Sequence, residues 1–215
     1  MLVLSRNEVE SLLDADLLRE AVGAALADLS AGKASMPTRI AAMVSERDGL
    51  LAAMPAYLPT AGALTTKLVS LFPHNTDRPT HQAVIVAFDA ATGTPIALLD
   101  GEAITAARTA AGSALATDLL ARKNVDRLVV IGTGVQARAH LKAVSRVRPF
   151  GSVLVVGRDL DRARALAQEF GGGNTNVEVR ATTDLERAVR AAVIASPSSN
   201  AIGVPVAASN ATITA

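Results

Sequence analysis

A chain of 215 residues, half of them apolar, is long enough for one large domain or two small ones and can bury a sizeable core. Its 21 Lys and Arg nearly balance 20 Asp and Glu, so no global field draws in nucleic acid or an anionic membrane surface, and a small molecule is the expected partner. Without cysteine there is no disulfide or thiolate metal site; His74, His81 and His140 are not at metal-ligand spacing; and no uncharged apolar run reaches about 18 residues, so the expectation is a cytoplasmic protein with no metal.

Ser5-Arg6-Asn7-Glu8 has the capping-box pattern ahead of Val9, Leu12 and Leu13 and predicts a short helix. Asp14 can cap a second, with Leu17, Leu18, Val22, Ala25, Leu26 and Leu29 at helical spacing and Gly32 as its stop. Over residues 37–72, short apolar stretches broken by Gly49, Pro55, Pro59 and Gly62 predict strands of one sheet. Residues 82–88 and 94–99 then flank the turn Asp89-Ala90-Ala91-Thr92-Gly93 as a hairpin. The Ala- and Leu-rich stretch 103–122 predicts a long helix leading out of a first domain. Beyond it, strands at 127–131, 152–157, 177–181 and 192–195 alternate with helices at 135–146, 161–170 and 184–191, the signature of a parallel α/β sheet. Residues 196–215 contain no charge and receive no regular element.

Within that alternation lies Gly132-Thr133-Gly134-Val135-Gln136-Ala137. Taken alone, such glycines serve ordinary turns. Here the apolar strand Leu128-Val129-Val130-Ile131 precedes the loop and a helix begins at Val135, so backbone N–H groups and a helix N-terminus can face a pyrophosphate. Gly134 lets the backbone approach the phosphates, and Ala137 allows close packing of helix on strand. The second strand ends at Gly157-Arg158-Asp159, where an NAD site places an acid for the ribose hydroxyls. The Arg158 guanidinium instead suits a 2′-phosphate and points to NADP(H), while Asp159 leaves NAD(H) open.

Several earlier stretches then decide the reading. Pro37-Thr38-Arg39, Thr66-Lys67-Leu68-Val69-Ser70-Leu71-Phe72-Pro73-His74-Asn75, Pro79-Thr80-His81-Gln82-Ala83, Phe88-Asp89-Ala90-Ala91-Thr92-Gly93-Thr94-Pro95, Leu98-Leu99-Asp100-Gly101 and Ile104-Thr105-Ala106-Ala107-Arg108-Thr109-Ala110-Ala111 come in that order before the glycine loop. Together they resemble the ornithine cyclodeaminase and mu-crystallin family over about residues 1–195. The resemblance implies an α/β fold: an N-terminal α+β substrate and dimerisation domain, residues 1–117, followed by a Rossmann-type NAD(P)-binding domain, residues 118–215, that is incomplete. It also implies a homodimer joined through the first-domain sheet.

By the same resemblance Arg39 matches the arginine that grips the substrate carboxylate, Lys67 the lysine beside the reacting carbon–nitrogen bond, and Arg108 an arginine between carboxylate and cofactor. Thr80 matches a threonine near the nicotinamide, and Ser196 falls in the segment after the fourth cofactor-domain strand. Gly132, Thr133, Gly134, Val135, Gln136, Arg158 and Asp159 complete the expected cofactor set. A planar guanidinium binds a carboxylate through two parallel hydrogen bonds, and a lysine near an imine can move a proton. Read singly, each basic residue is an ordinary solvent-facing side chain; His74 and His81 gain no family role. The implied activity is reduction of a cyclic imino acid such as Δ1-pyrroline-2-carboxylate with NADP(H) or NAD(H). Ornithine cyclodeamination is the alternative. Family members run about a hundred residues further, and that part holds an aspartate used by the cyclodeaminase that has no match here, which argues against it. The early end of the cofactor sheet leaves apolar surface to be covered and favours a non-catalytic carrier or inactive copy as the other class.

Overall fold

A computed structural model of the chain describes residues 1–172, 176–193 and 201–205. The chain divides into two compact units, Met1–Thr105 and Ala106–Ala215.

The first unit is built on a six-stranded sheet. Its strands are β1 (Leu2–Leu4), β2 (Ile40–Val44), β3 (Gly49–Leu58), β4 (Ala63–Leu71), β5 (His81–Asp89) and β6 (Pro95–Asp100), in the order β1-β6-β5-β4-β3-β2. All pairings are antiparallel except β1 on β6. The helices α1 (Arg6–Leu12) and α2 (Ala15–Ser30) start where their caps were expected. Glu8 Oε2 accepts from the Ser5 hydroxyl at 2.6 Å and from its N–H at 2.8 Å, and these bonds hold the Glu8 carboxyl below the usual carboxylate range. Asp14 Oδ1 accepts from the N–H groups of Asp16 and Leu17, both at 2.9 Å. The hairpin turn is closed by Asp89, whose Oδ1 accepts from the N–H groups of Ala91 and Thr92 and from the Thr92 hydroxyl.

The register gives the sheet two distinct faces. Ala52, Val69 and Ala83 face one another across β3, β4 and β5 and form a buried core, flanked by Leu50 and Met54. Side chains alternate along a strand, so the other face carries Ile40, Ala53, Leu68 and Val84 in one row, with Leu51 two residues from Ala53. β1 was not anticipated in the sequence.

The helix α3 (Gly101–Leu120) begins two residues earlier than expected, with Asp100 Oδ1 accepting from the Ala103 N–H at 2.7 Å as its cap. The unit boundary at Thr105 falls inside it, as does the sequence-based boundary after residue 117.

In the second unit, β7 (Arg127–Ile131), α4 (Val135–Val147), β8 (Ser152–Val156), α5 (Leu160–Gly171), β9 (Glu178–Thr182), α6 (Leu185–Val193) and β10 (Ala201–Pro205) alternate as strand and helix. The sheet is wholly parallel, in the order β10-β7-β8-β9. The strand expected over 192–195 is not formed, because α6 continues through Val193; a short apolar run fits either state, and helical periodicity from Leu185 wins. The fourth strand is instead β10, in the tail that carried no assignment.

On one face of this sheet Leu128 and Val130 pack with Val153 and Val155 beneath Leu141 and Val144 of α4 and Ala163 and Leu166 of α5. On the other, Val129 and Val156 pack with Ala188 of α6. β7 is therefore covered on both faces, with Leu128, Val129 and Val130 each 0 % exposed. The change of face follows from topology: right-handed crossovers place α4 and α5 on one side, and reversal of direction to reach β10 puts α6 on the other. Arg148, just past α4, ties the end of α3 into this unit. Its Nη1 donates to Asp118 Oδ1 at 2.6 Å, and its Nη2 donates to the Asp118 carbonyl at 2.7 Å and the Thr117 and Ala121 carbonyls at 3.4 Å.

Candidate functional site

The glycine loop leaves the carboxyl end of β7 between β8 on one side and β10 on the other, which is the point where strand order reverses. Ligands of open α/β sheets bind at that crevice. Gly132 has φ 121°, a conformation closed to side chains with a Cβ, and its N–H is held by the Val156 carbonyl at 2.8 Å. Gly134 is the N-cap of α4, with φ −89° and ψ −167°. A Cβ built there would meet no atom within 4 Å, so the space before the helix is open.

No side chain caps α4 among the described residues, which leaves its first N–H groups aimed into that space. Gln136 adds a buried Oε1 with no hydrogen-bond partner among the described residues. Arg138 reaches back from α4, donating through Nη1 to the Thr133 carbonyl at 3.1 Å and through Nε to Glu169 Oε2 at 2.8 Å, and so braces the loop from behind. Sequence reading missed this brace. Open space, free N–H donors and the positive end of a 13-residue helix fit a pyrophosphate.

After β8, Arg158 is exposed and has no hydrogen-bond or ion-pair partner among the described residues. Asp159 is engaged: its Oδ1 caps α5 by accepting from the N–H groups of Asp161 at 2.9 Å and Arg162 at 3.1 Å, and its Oδ2 stands 3.6 Å from Arg162 Nε. The carboxylate expected as an alternative ribose acceptor therefore already has partners, and among the described residues Arg158 has none. Arg108 is an exposed residue of α3 in this unit. Ser196 lies outside the described residues.

In the first unit, Lys67 sits on β4 opposite Met54 of β3 and Ile85 of β5. It is two residues from Val69 and shares the face of the buried Ala52-Val69-Ala83 row, so it is half-buried rather than a surface lysine. Arg39 directly precedes β2, and one further step of the β2–β3 register sets its position opposite Met54. The register thus brings positions 39 and 67 to one side of the sheet, two strand spacings or about 10 Å apart. Thr80 is half-buried just before β5, its carbonyl accepting from the Phe72 N–H at 2.8 Å. His74 pairs with Asp48 at 2.9 Å in solvent, and His81 is exposed. Among the described residues no group of three His, Cys, Asp or Glu could hold a metal, and no helix is long and apolar enough to cross a membrane.

The profile of the Ornithine cyclodeaminase/mu-crystallin family matches residues 1–211. The chain belongs to this family. The ketimine reductase mu-crystallin of Mus musculus is 37 % identical over 195 residues, covering 88 % of this chain and 61 % of its own length. The Δ1-pyrroline-2-carboxylate reductase of Thermococcus litoralis, solved with NADH and L-proline, superposes with a TM-score of 0.80 at 38 % identity, over 87 % of this chain and 58 % of that one. An archaeal alanine dehydrogenase dimer with bound NAD also gives a TM-score of 0.80, at 32 % identity over 87 % and 57 %. The chain thus spans about three fifths of the length of these family relatives. The family's α/β fold, a mixed sheet followed by a parallel sheet, is the one read from the sequence.

Proposed function

We propose that the chain reduces the C=N bond of a small α-imino acid of the Δ1-pyrroline-2-carboxylate type with a reduced nicotinamide dinucleotide. The observation that carries this is the uncapped, sterically open start of α4 at the switch point of a parallel sheet in a member of this family. Support for the substrate class comes from the relatives: a ketimine reductase, and a pyrroline-2-carboxylate reductase holding L-proline. Proline differs from the cyclic imine by a hydride on the α-carbon and a proton on the nitrogen, so a reductase must provide for both. That Arg158 has no hydrogen-bond or ion-pair partner among the described residues favours NADPH over NADH.

A bound dihydronicotinamide supplies a hydride from its C4. The remaining tasks belong to side chains. Arg39 and Arg108 hold the substrate carboxylate through charge-assisted hydrogen bonds and so fix the α-carbon. Lys67 delivers the proton that the imine nitrogen takes up as the α-carbon is reduced. The N–H groups of Val135, Gln136 and Ala137 hold the pyrophosphate, Thr133 lines the loop, and Thr80 stands at the nicotinamide end. Two copies pair through the exposed face of the first-unit sheet.

The test is direct. The purified chain is mixed with NADPH or NADH and Δ1-pyrroline-2-carboxylate or Δ1-piperideine-2-carboxylate, and loss of reduced cofactor is followed by absorbance. Turnover, faster with NADPH, is the expected result. Cofactor binding without turnover would sink the reductase reading and leave a carrier; no cofactor-induced rise in Tm would sink both. Lys67→Ala should lower kcat by about a hundredfold or more while leaving cofactor affinity unchanged. Equal loss of both would count against its proton-transfer role.

A further inference from the structure

His140 lies one turn into α4 beyond the glycine loop and is 4 % exposed. Both ring nitrogens are engaged: Nδ1 is 2.7 Å from the carbonyl oxygen of Gln136, and Nε2 is 3.0 Å from Oγ of Ser113 on α3. A carbonyl oxygen only accepts, so in the neutral ring Nδ1 donates to Gln136 and Nε2 accepts from the Ser113 hydroxyl. Hydroxyl, imidazole and carbonyl form one chain within the second unit, and it ends on the glycine loop.

That end matters because of peptide geometry. The Gln136 carbonyl and the Ala137 N–H belong to one planar trans peptide and point in opposite directions. The Ala137 N–H is among the first of α4, which have no intrahelical acceptor and face the open space beside Gly134. Holding the carbonyl from below fixes the direction of this N–H. It also polarises the peptide and makes the N–H a stronger donor. The imidazole adds a second donor to a carbonyl that the helix ladder already engages, at the turn whose N–H groups have no side-chain cap among the described residues.

We propose that His140 and Ser113 are positioning residues for the dinucleotide: the Ser113–His140–Gln136 chain aims the first N–H groups of α4 at the pyrophosphate and ties that aim to α3, the helix that bears Arg108. This rests on the reading of the Gly132 loop as the cofactor cradle. A purely structural histidine would stabilise the fold without altering cofactor affinity.

The experiment reads the Kd for NADPH by fluorescence titration at a temperature where every variant is folded, together with Tm of the cofactor-free protein. His140→Gln keeps an acceptor near the Nε2 position and gives up the Gln136 carbonyl; Ser113→Ala removes only the hydroxyl. His140→Gln should weaken NADPH about tenfold and Ser113→Ala about fivefold, the scale of one well-placed hydrogen bond. Ser113→Thr, which restores the hydroxyl, should return the Kd to near wild type. Thr60→Val is the control, since it breaks a part-buried 2.9 Å contact to Asp28 in the first unit and should lower Tm without moving the Kd. Where turnover is measurable, KM for the cofactor should rise with kcat at saturation retained. The proposal is overturned if His140→Gln binds NADPH within about twofold of wild type, or if Kd merely follows Tm across all variants, the control included. Should His140→Gln fail to fold, an unchanged Kd in Ser113→Ala overturns it equally. If wild type binds neither NADPH nor NADH, the cradle reading fails and this chain of contacts loses its role with it; if wild type binds and the variants bind as well, only the positioning role is lost.

Discussion

Gly132 and Gly134 stand two residues apart in one loop and are glycine for different reasons. Gly132 needs a backbone conformation that a Cβ forbids, with φ at 121°. Gly134 adopts an ordinary extended conformation with open space around it, so folding alone does not require a glycine there. On the proposed reading function does, because a methyl group at Gly134 would stand where the pyrophosphate approaches the helix. Gly132→Ala should therefore cost about 2 kcal/mol and lower Tm by several degrees. Gly134→Ala should lower the Tm of the cofactor-free protein by no more than about 3 °C, the cost of alanine at an N-cap with unstrained backbone and free space, yet weaken NADPH and NADH alike. Titration of both variants decides the matter: a Gly134→Ala protein with normal cofactor affinity would mean that the open space is not the phosphate site. The loop was legible in the sequence because strand, glycines and helix start are contiguous. The His140 contacts were not, since Ser113 lies on another helix 27 residues away and nothing local in Ala139-His140-Leu141 marks them.

At the scale of elements, legibility followed the strength of local signals. The capping box at Ser5, the Asp14 cap and the Asp89 turn each act within three residues, and all three are found as read. β1 and β10 were missed because their cause is not local: three residues of β1 become a strand only by pairing with β6, about 95 positions away, and β10 only by lying on β7. β10 also contains Gly203 and Pro205, residues that argue against a strand in isolation. The Arg148 contacts are another long-range device, in which one guanidinium satisfies carbonyls that the end of α3 would leave open. Arg148 is largely buried while Asp118 is part-exposed, so the hydrogen bonds matter more than the ion pair. Arg148→Met keeps much of the apolar stem and loses every donor. It should cost about 3 kcal/mol and lower Tm by about 10 °C, and a fall of less than about 2 °C would show that water replaces the guanidinium at no cost.

At the scale of the molecule, the outer face of the first-unit sheet carries exposed apolar side chains. Ile40 is 70 % exposed, Leu51 49 % and Val84 39 %, and the register sets all three on the same side. The antiparallel strands β2 to β6, about 4.8 Å apart and about 17 to 33 Å long, make a face on the order of 600 Å², near the low end of what each partner buries in a standard stable interface. A symmetric dimer would cover it with the same face of a second copy, and the archaeal relative with the same fold is a dimer. Pairing of the sheets would also account for an apolar row that would otherwise invite aggregation. In Leu51→Glu combined with Val84→Glu, each copy would carry two carboxylates into an apolar contact opposite two more, at several kcal/mol. Sedimentation equilibrium should then move from twice the chain mass of 22.0 kDa to the chain mass itself. Retention of the dimer by the double variant would place the interface elsewhere, and a wild type that is monomeric at micromolar concentration would remove this face from the account. Because the face opposite bears Lys67, a monomeric double variant that still binds NADPH would separate assembly from the cofactor site, and its turnover would reveal whether the sheet must be paired to hold Lys67 in place.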